Sequence, residues 1–278
     1  MRVNAYVLAA DPTWIENSIS AYYHHVDRIV VSYDRSHRGW TGAPIRSREA
    51  LHLITSLDTE KKVELLSGDY SRLGSDPMRS ETRQRQEALD AAGRDADWVL
   101  QLDTDEVIPR ADQLLSVLEA APADVRSVDW PMRVLYRKLG ADRYLEVCGS
   151  QGEAFFEYPG PVAARAGAHL VEARRAEGPW LRPVMPGDTT STQVARSVTK
   201  GEVRTPLPRE AEAIWHNSWA RSPINVLRKV RAWGHNQGLR TYRYYAVTWL
   251  PSPVTWRRLR DVHPVIESTW PNLRITRL

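Results

Sequence analysis

Four short apolar runs alternate with three stretches of helical spacing in the first hundred residues, and that alternation leaves few folds open. Residues 2–10 (RVNAYVLAA), 27–33 (DRIVVSY), 63–67 (VELLS) and 97–102 (DWVLQL) are apolar and too short for helices, which predicts buried strands. Between them residues 14–23, 46–57 and 78–92 carry helical spacing, the last with good helix formers and no breaker. Strand–helix–strand repeated in this way predicts an α/β fold with a parallel sheet, because parallel neighbours need a crossover and a helix supplies it. Ligands in such sheets bind beyond the carboxyl ends of the strands. Three acidic positions fall at those ends here: Asp11, Asp34 and the cluster Asp103-Thr104-Asp105-Glu106.

The remainder is mixed. A helix is expected over residues 111–120, strand-rich sequence over 127–204, a Pro-flanked hinge at 205–208, a helix over 223–235 and a proline-punctuated tail from 249 that wraps the core. Six of the 11 tryptophans lie after residue 214, so the last third differs in character. The single cysteine, Cys148, excludes an intramolecular disulfide and a multi-cysteine zinc cluster. With no signal-peptide pattern and no apolar run long enough to span a bilayer, the sequence predicts a cytoplasmic protein without a transmembrane segment. Charge is nearly balanced, 38 basic against 34 acidic side chains, with no long run of one sign, and no nucleic-acid partner is expected.

DWVLQLDTDE is the most informative segment. A strand that ends in Asp-X-Asp sets two carboxylates at one corner, where they repel unless a cation or a shared proton compensates. Mg²⁺ and Mn²⁺ bind through a few carboxylates plus phosphate oxygens, so Asp103 and Asp105 are candidates to bridge a metal to a diphosphate. The alternative is an acidic turn capping the helix that follows. Trp40, in the loop RGWTG, could stack on a nucleobase or fold back over local apolar surface.

The order of these elements, with Arg85-Gln86 on the helix before WVLQLDTDE, resembles the nucleotide-sugar glycosyltransferases of the GT-A fold, close to family 2. Arg85 matches the arginine of the family's Ala-Arg-Asn, and Gln86 replaces its asparagine. The resemblance implies a Rossmann-like mixed sheet flanked by helices, with a C-terminal helical, Trp-rich extension. It divides the chain into a catalytic core at 1–204, with a nucleotide-binding half at 1–110 and an acceptor half at 111–204, and a segment at 205–278 that closes the metal site. By the same resemblance Ala9, Ala10, Asp11 and Asp34 hold base and ribose, Arg85 faces the diphosphate, and Asp103 and Asp105 hold ribose and metal. His216 in IWHNSW completes the metal site, and Arg221 meets the departing diphosphate, with Arg228, Lys229 and Arg231 behind it. The family's proton acceptor follows the Asp-X-Asp at a distance that points to Asp188 in MPGDTTST, which could equally be a helix cap accepting a backbone N–H, with Glu153 and Glu157 as fallbacks.

The function implied is metal-dependent transfer of a sugar from a nucleoside-diphosphate donor, UDP-linked, to a hydroxyl or amine on a small molecule or glycan, with Mn²⁺ or Mg²⁺ as Lewis acid. Two other classes stay open on the sequence. Asp103-Thr104-Asp105-Glu106-Val107 also fits the Asp-X-Asp-X-Val of haloacid-dehalogenase phosphatases, and a chain rich in Arg and Trp could bind nucleic acid.

Overall fold

The computed structural model describes residues 1–71, 76–188, 191–206, 209–232, 237–266 and 269–278. Its first hundred residues form β1 (Val3–Leu8), α1 (Ile15–Ser20), β2 (Ile29–Asp34), α2 (Ser47–Leu57), β3 (Val63–Gly68), α3 (Pro77–Ala92) and β4 (Trp98–Leu100). Val3, Ala5 and Val7 face a core with Ile15, Ile19 and Ile54, whereas Tyr6 and Leu8 face Ala88 and Leu89 on the other side. With both faces covered, these strands read as continuous apolar runs instead of alternating. Helix α3 starts where Asp76 accepts from the Met78 N–H at 2.9 Å, with Pro77 in its first turn.

β5 (Glu106–Val107), α4 (Ala111–Ala120), β6 (Ser127–Val128), β7 (Met132–Lys138), β8 (Arg143–Cys148), β9 (Ala163–Arg165), β10 (Leu170–Glu172), β11 (Arg175–Ala176), β12 (Trp180–Val184), α5 (Thr192–Ala195) and β13 (Glu202–Pro206) follow. The chain then adds β14 (Ile214–His216), α6 (Pro223–Ala232), α7 (Leu239–Arg243), a π-helix at Tyr244–Trp249, α8 (Ser252–Thr255) and β15 (Asn272–Arg277). The large sheet has the order β13-β12-β6-β9-β4-β1-β2-β3. β1 to β4 are parallel, and β9 runs antiparallel between β4 and β6. A second sheet, β15-β8-β7-β14-β5, joins strands from both parts of the chain. The fold is thus the expected mixed α/β sheet flanked by helices. To the helical C-terminal extension it adds two strands, β14 and β15.

Local differences from the sequence expectation have simple causes. The helix expected over 14–23 stops at Ser20, because the Tyr22 N–H pairs with Ile19 at 3.1 Å and tightens the chain into a 3₁₀ turn at Tyr23–His25. The helix expected over 223–235 is described to Ala232, and residues 233–236 lie outside the described residues, as do 207–208 of the hinge. Tryptophan use in the last third is a packing matter: Trp219, Trp249 and Trp270 fill the core between the second sheet and α6. Among the described residues no helix is long and apolar enough to cross a membrane.

Candidate active site

A cavity of about 730 Å³ opens at the carboxyl ends of β1, β2 and β4. Of the residues singled out from the sequence, Ala9, Ala10, Asp11, Asp34, Trp40, Arg85, Asp103, Asp105, His216 and Arg221 line it. Asp188 is not on its wall; that carboxylate accepts from the Ser191 N–H at 3.1 Å and the Ser191 hydroxyl at 2.5 Å. Glu157, a fallback in the sequence, does line the cavity.

The Asp-X-Asp loop is pinned from three sides. The Ser18 hydroxyl donates to the carbonyls of Asp103 and Glu106, at 3.2 and 2.8 Å. Buried Glu106 accepts the Asp103 N–H at 3.0 Å and both arms of buried Arg174 at 2.7 Å, a bidentate pair that fixes the turn. The Asn217 N–H donates to Asp105 O at 2.8 Å, while Glu106 and His216 face each other across the β5–β14 pair. That pairing sets His216, 110 positions after Glu106, beside the Asp-X-Asp corner.

Each carboxylate of the corner already has a cation from the chain. Arg85, 4% exposed, donates to both oxygens of Asp103 at 3.0 and 3.1 Å and to Glu81 at 2.9 Å. Arg221 pairs with Asp105 at 2.6 Å and with Asp11, and Lys229 stands 3.7 Å from Asp105. Burial pushes the Asp105 carboxyl up, but Lys229, Arg221 and His216 outweigh it and hold it far below the usual range. Burial brings the Lys229 ammonium down to about 8 against the pull of Asp105. Arg85 Nη1, Arg221 Nε and His216 Nδ1 are buried without a hydrogen-bond partner. Buried polar atoms are rarely left so, and these three belong to residues that line the cavity.

These donors do not make a ready metal site. Among the described residues no group of three His, Cys, Asp or Glu side chains is placed to hold an ion. Both oxygens of Asp103 accept from Arg85, Asp105 Oδ2 is held by Arg221 with Lys229 at 3.7 Å, and the His216 Nδ1 has no partner, so the aspartates already face cations of the chain.

The remaining positions are held by local chemistry. Asp34 accepts the N–H groups of Ser36, Tyr70 and Ser71 at 2.9, 2.7 and 3.0 Å, besides the Ser36 hydroxyl. Burial raises its pKa, and these hydrogen bonds more than reverse the effect, so it lies below the usual value. Gly68 makes this possible, since the Tyr70 ring lies where a β-carbon would stand. Trp40 donates its indole N–H to Gln84 at 2.8 Å and packs on the core against α3, which fixes its ring on the cavity wall.

Glu157 is the residue whose prominence the sequence understates. Its backbone exchanges hydrogen bonds with Met132 at 2.8 and 2.9 Å, and its carboxylate accepts the indole N–H of Trp270. Burial raises its pKa, countered by Trp270 and His216.

No protein-family model and no curated protein matches the chain. Among solved structures it is similar to residues 1–349 of S. aureus TarS (12% identity, TM-score 0.34, covering 60% of this chain and 47% of that one). It is also similar to mannose-1-phosphate geranyltransferase from Thermus thermophilus (16%, 0.31, covering 61% and 51%) and mannose-6-phosphate isomerase from Helicobacter pylori (12%, 0.30, covering 54% and 57%). The chain spans about half the length of these structures, and likeness at such TM-scores assigns neither family nor activity.

Proposed function

We propose that the chain is a glycosyltransferase that moves a sugar from a nucleoside-diphosphate donor, read as UDP-linked, to a hydroxyl or amine of a small-molecule or glycan acceptor. One observation carries this: a cavity at the strand ends where buried Arg85 and Arg221 keep unpartnered nitrogens beside the Asp-X-Asp corner. Guanidinium groups match phosphate oxygens with paired donors, and a desolvated wall strengthens each contact. Trp40 offers a fixed ring for the base.

In the transfer step the acceptor oxygen attacks the anomeric carbon as the bond from that carbon to the phosphate oxygen breaks. The nucleoside diphosphate leaves with the bonding pair, and Arg85, Arg221 and Lys229 take up its charge. The acceptor proton passes to Glu157, whose raised pKa suits a base better than an ordinary surface carboxylate. With Asp103 and Asp105 engaged by the chain's own cations, no step is routed through Mn²⁺ or Mg²⁺. A haloacid-dehalogenase reaction would need Asp103 as a nucleophile, yet both its oxygens accept from Arg85.

Thermal-shift titration tests the proposal. UDP and UDP-sugars should raise the melting temperature as a ligand that binds only the folded state does, and uridine should do so far less. No shift with any nucleoside diphosphate overturns it.

A further inference from the structure

Residues 213–260 contain nine basic side chains and no acidic one, although the rest of the chain holds 29 basic against 34 acidic. Five of the nine, Arg240, Arg243, Arg257, Arg258 and Arg260, lie on or just after one helical unit. From Leu239 to Thr255 the backbone is nearly continuous helix, α7 passing through the π-helix and Leu250-Pro251 into α8. Its inner side is buried: Thr241, Trp249 and Ser252 are 0% exposed, and Trp249 belongs to the core of the second sheet.

Its outer side combines two features that a soluble surface has no use for together. Leu239, Val247 and Val254 are 88%, 64% and 84% exposed, and Leu250 joins them. Positions 239, 243, 247, 250 and 254 recur at three- and four-residue steps, one face of a helix. Arg240 and Arg243 lie on the same helical stretch and Arg257, Arg258 and Arg260 directly follow it, all exposed, with Arg257 over the half-buried Trp256 ring at 4.6 Å.

We propose that this C-terminal helical face docks on an anionic membrane surface, its aliphatic side chains entering the headgroup boundary and its arginines meeting lipid phosphates. Interfacial helices carry this combination, apolar residues projecting among basic ones with Trp near the boundary. A nucleic acid would satisfy the arginines and leave four aliphatic side chains in water, whereas a bilayer satisfies both. The loop 263–266, which follows the helical face in the chain, lines the cavity wall with Arg228 and Lys229 of α6. The inference does not depend on the transferase proposal, because none of the residues on the face lines the cavity.

Sedimentation of the full chain with vesicles tests it. Vesicles of phosphatidylcholine with phosphatidylglycerol should carry the protein down, and pure phosphatidylcholine should not. Each arginine near an anionic surface changes partitioning about fivefold, so Arg257→Gln with Arg258→Gln should weaken binding roughly 25-fold. High salt should mimic that loss. Leu239→Asp with Val254→Asp should also release the protein, with its melting temperature and UDP affinity unchanged. The proposal is overturned if the wild type ignores anionic vesicles, or if both double variants still bind them. Preference for duplex DNA over vesicles, unaffected by the aspartate pair, would reassign the face to nucleic acid.

Discussion

Arg221 joins Asp11 to Asp105, two acids that follow separate strands of the large sheet, with its guanidinium 2.6 Å from Asp105. One side chain from the C-terminal third thereby bridges two loops at the carboxyl ends of the large sheet. Removing one partner of a buried pair strands the other charge, at a cost of about 3–5 kcal/mol. Arg221→Ala should therefore lose stability on that scale in denaturant titration. It should also weaken UDP about ten- to a hundredfold, the worth of a hydrogen bond to a charged group, while uridine binding changes little. Undiminished UDP affinity would confine Arg221 to holding the loops.

Chelation separates the chain's own cations from a metal. Because Asp103 and Asp105 are engaged by Arg85, Arg221 and Lys229, UDP affinity measured by calorimetry should be the same in EDTA and in Mn²⁺. A clear gain with Mn²⁺, lost in His216→Ala, would show that an ion displaces Arg221 and Lys229 from Asp105.

Glu157→Gln should remove transfer by a factor of about 10²–10⁴, the usual contribution of a positioned base, and leave UDP binding intact. Burial favours the protonated form of Glu157 in the folded state, so between the unfolded and folded pKa its stabilising effect is lost as pH rises. The amide mimics the protonated acid and can still accept from Trp270, hence the melting temperature at neutral pH should hold or increase. In the unmodified chain, transfer should fall as pH drops through a pKa above the usual carboxylate value. A pH profile flat across that window would remove Glu157 from the chemistry.

Asp34 should behave as a loop clamp. Its hydrogen bonds hold its pKa down, so the stability it contributes is present above the unfolded pKa and lost as pH falls through the lower folded one. Asp34→Ala leaves the N–H groups of Tyr70 and Ser71 without their acceptor, at about 1–3 kcal/mol each if they stay buried. UDP and free diphosphate should weaken together. Selective loss of UDP would return Asp34 to base recognition.

Where a strand run meets an acid in the sequence, the position of the side chain follows from the fold class alone. Asp11, Asp34, Asp103 and Asp105 were legible for that reason, and Arg85 through the resemblance of its helix to the Ala-Arg-Asn helix of the GT-A family. What compensates them was not legible. Arg221 and Lys229 sit more than a hundred residues from Asp105 and reach it only through β14 and α6. Asp188 and Glu157 looked alike as acids near turns. Contacts with Ser191 on one side and with Met132 and Trp270 on the other distinguish them, and no periodicity reports such contacts. β5 and β14 are two and three residues long, too short to leave an alternation pattern.

The second sheet also sets the order of events in folding. His216 must meet Glu106, and Ile275 must meet Leu145, so the strands on which the cavity depends close loops of more than a hundred residues. Loop closure of that kind is slow, while helices form from near neighbours. A refolding chain should regain its circular dichroism well before it binds a nucleotide, and competence should arrive with the last pairing.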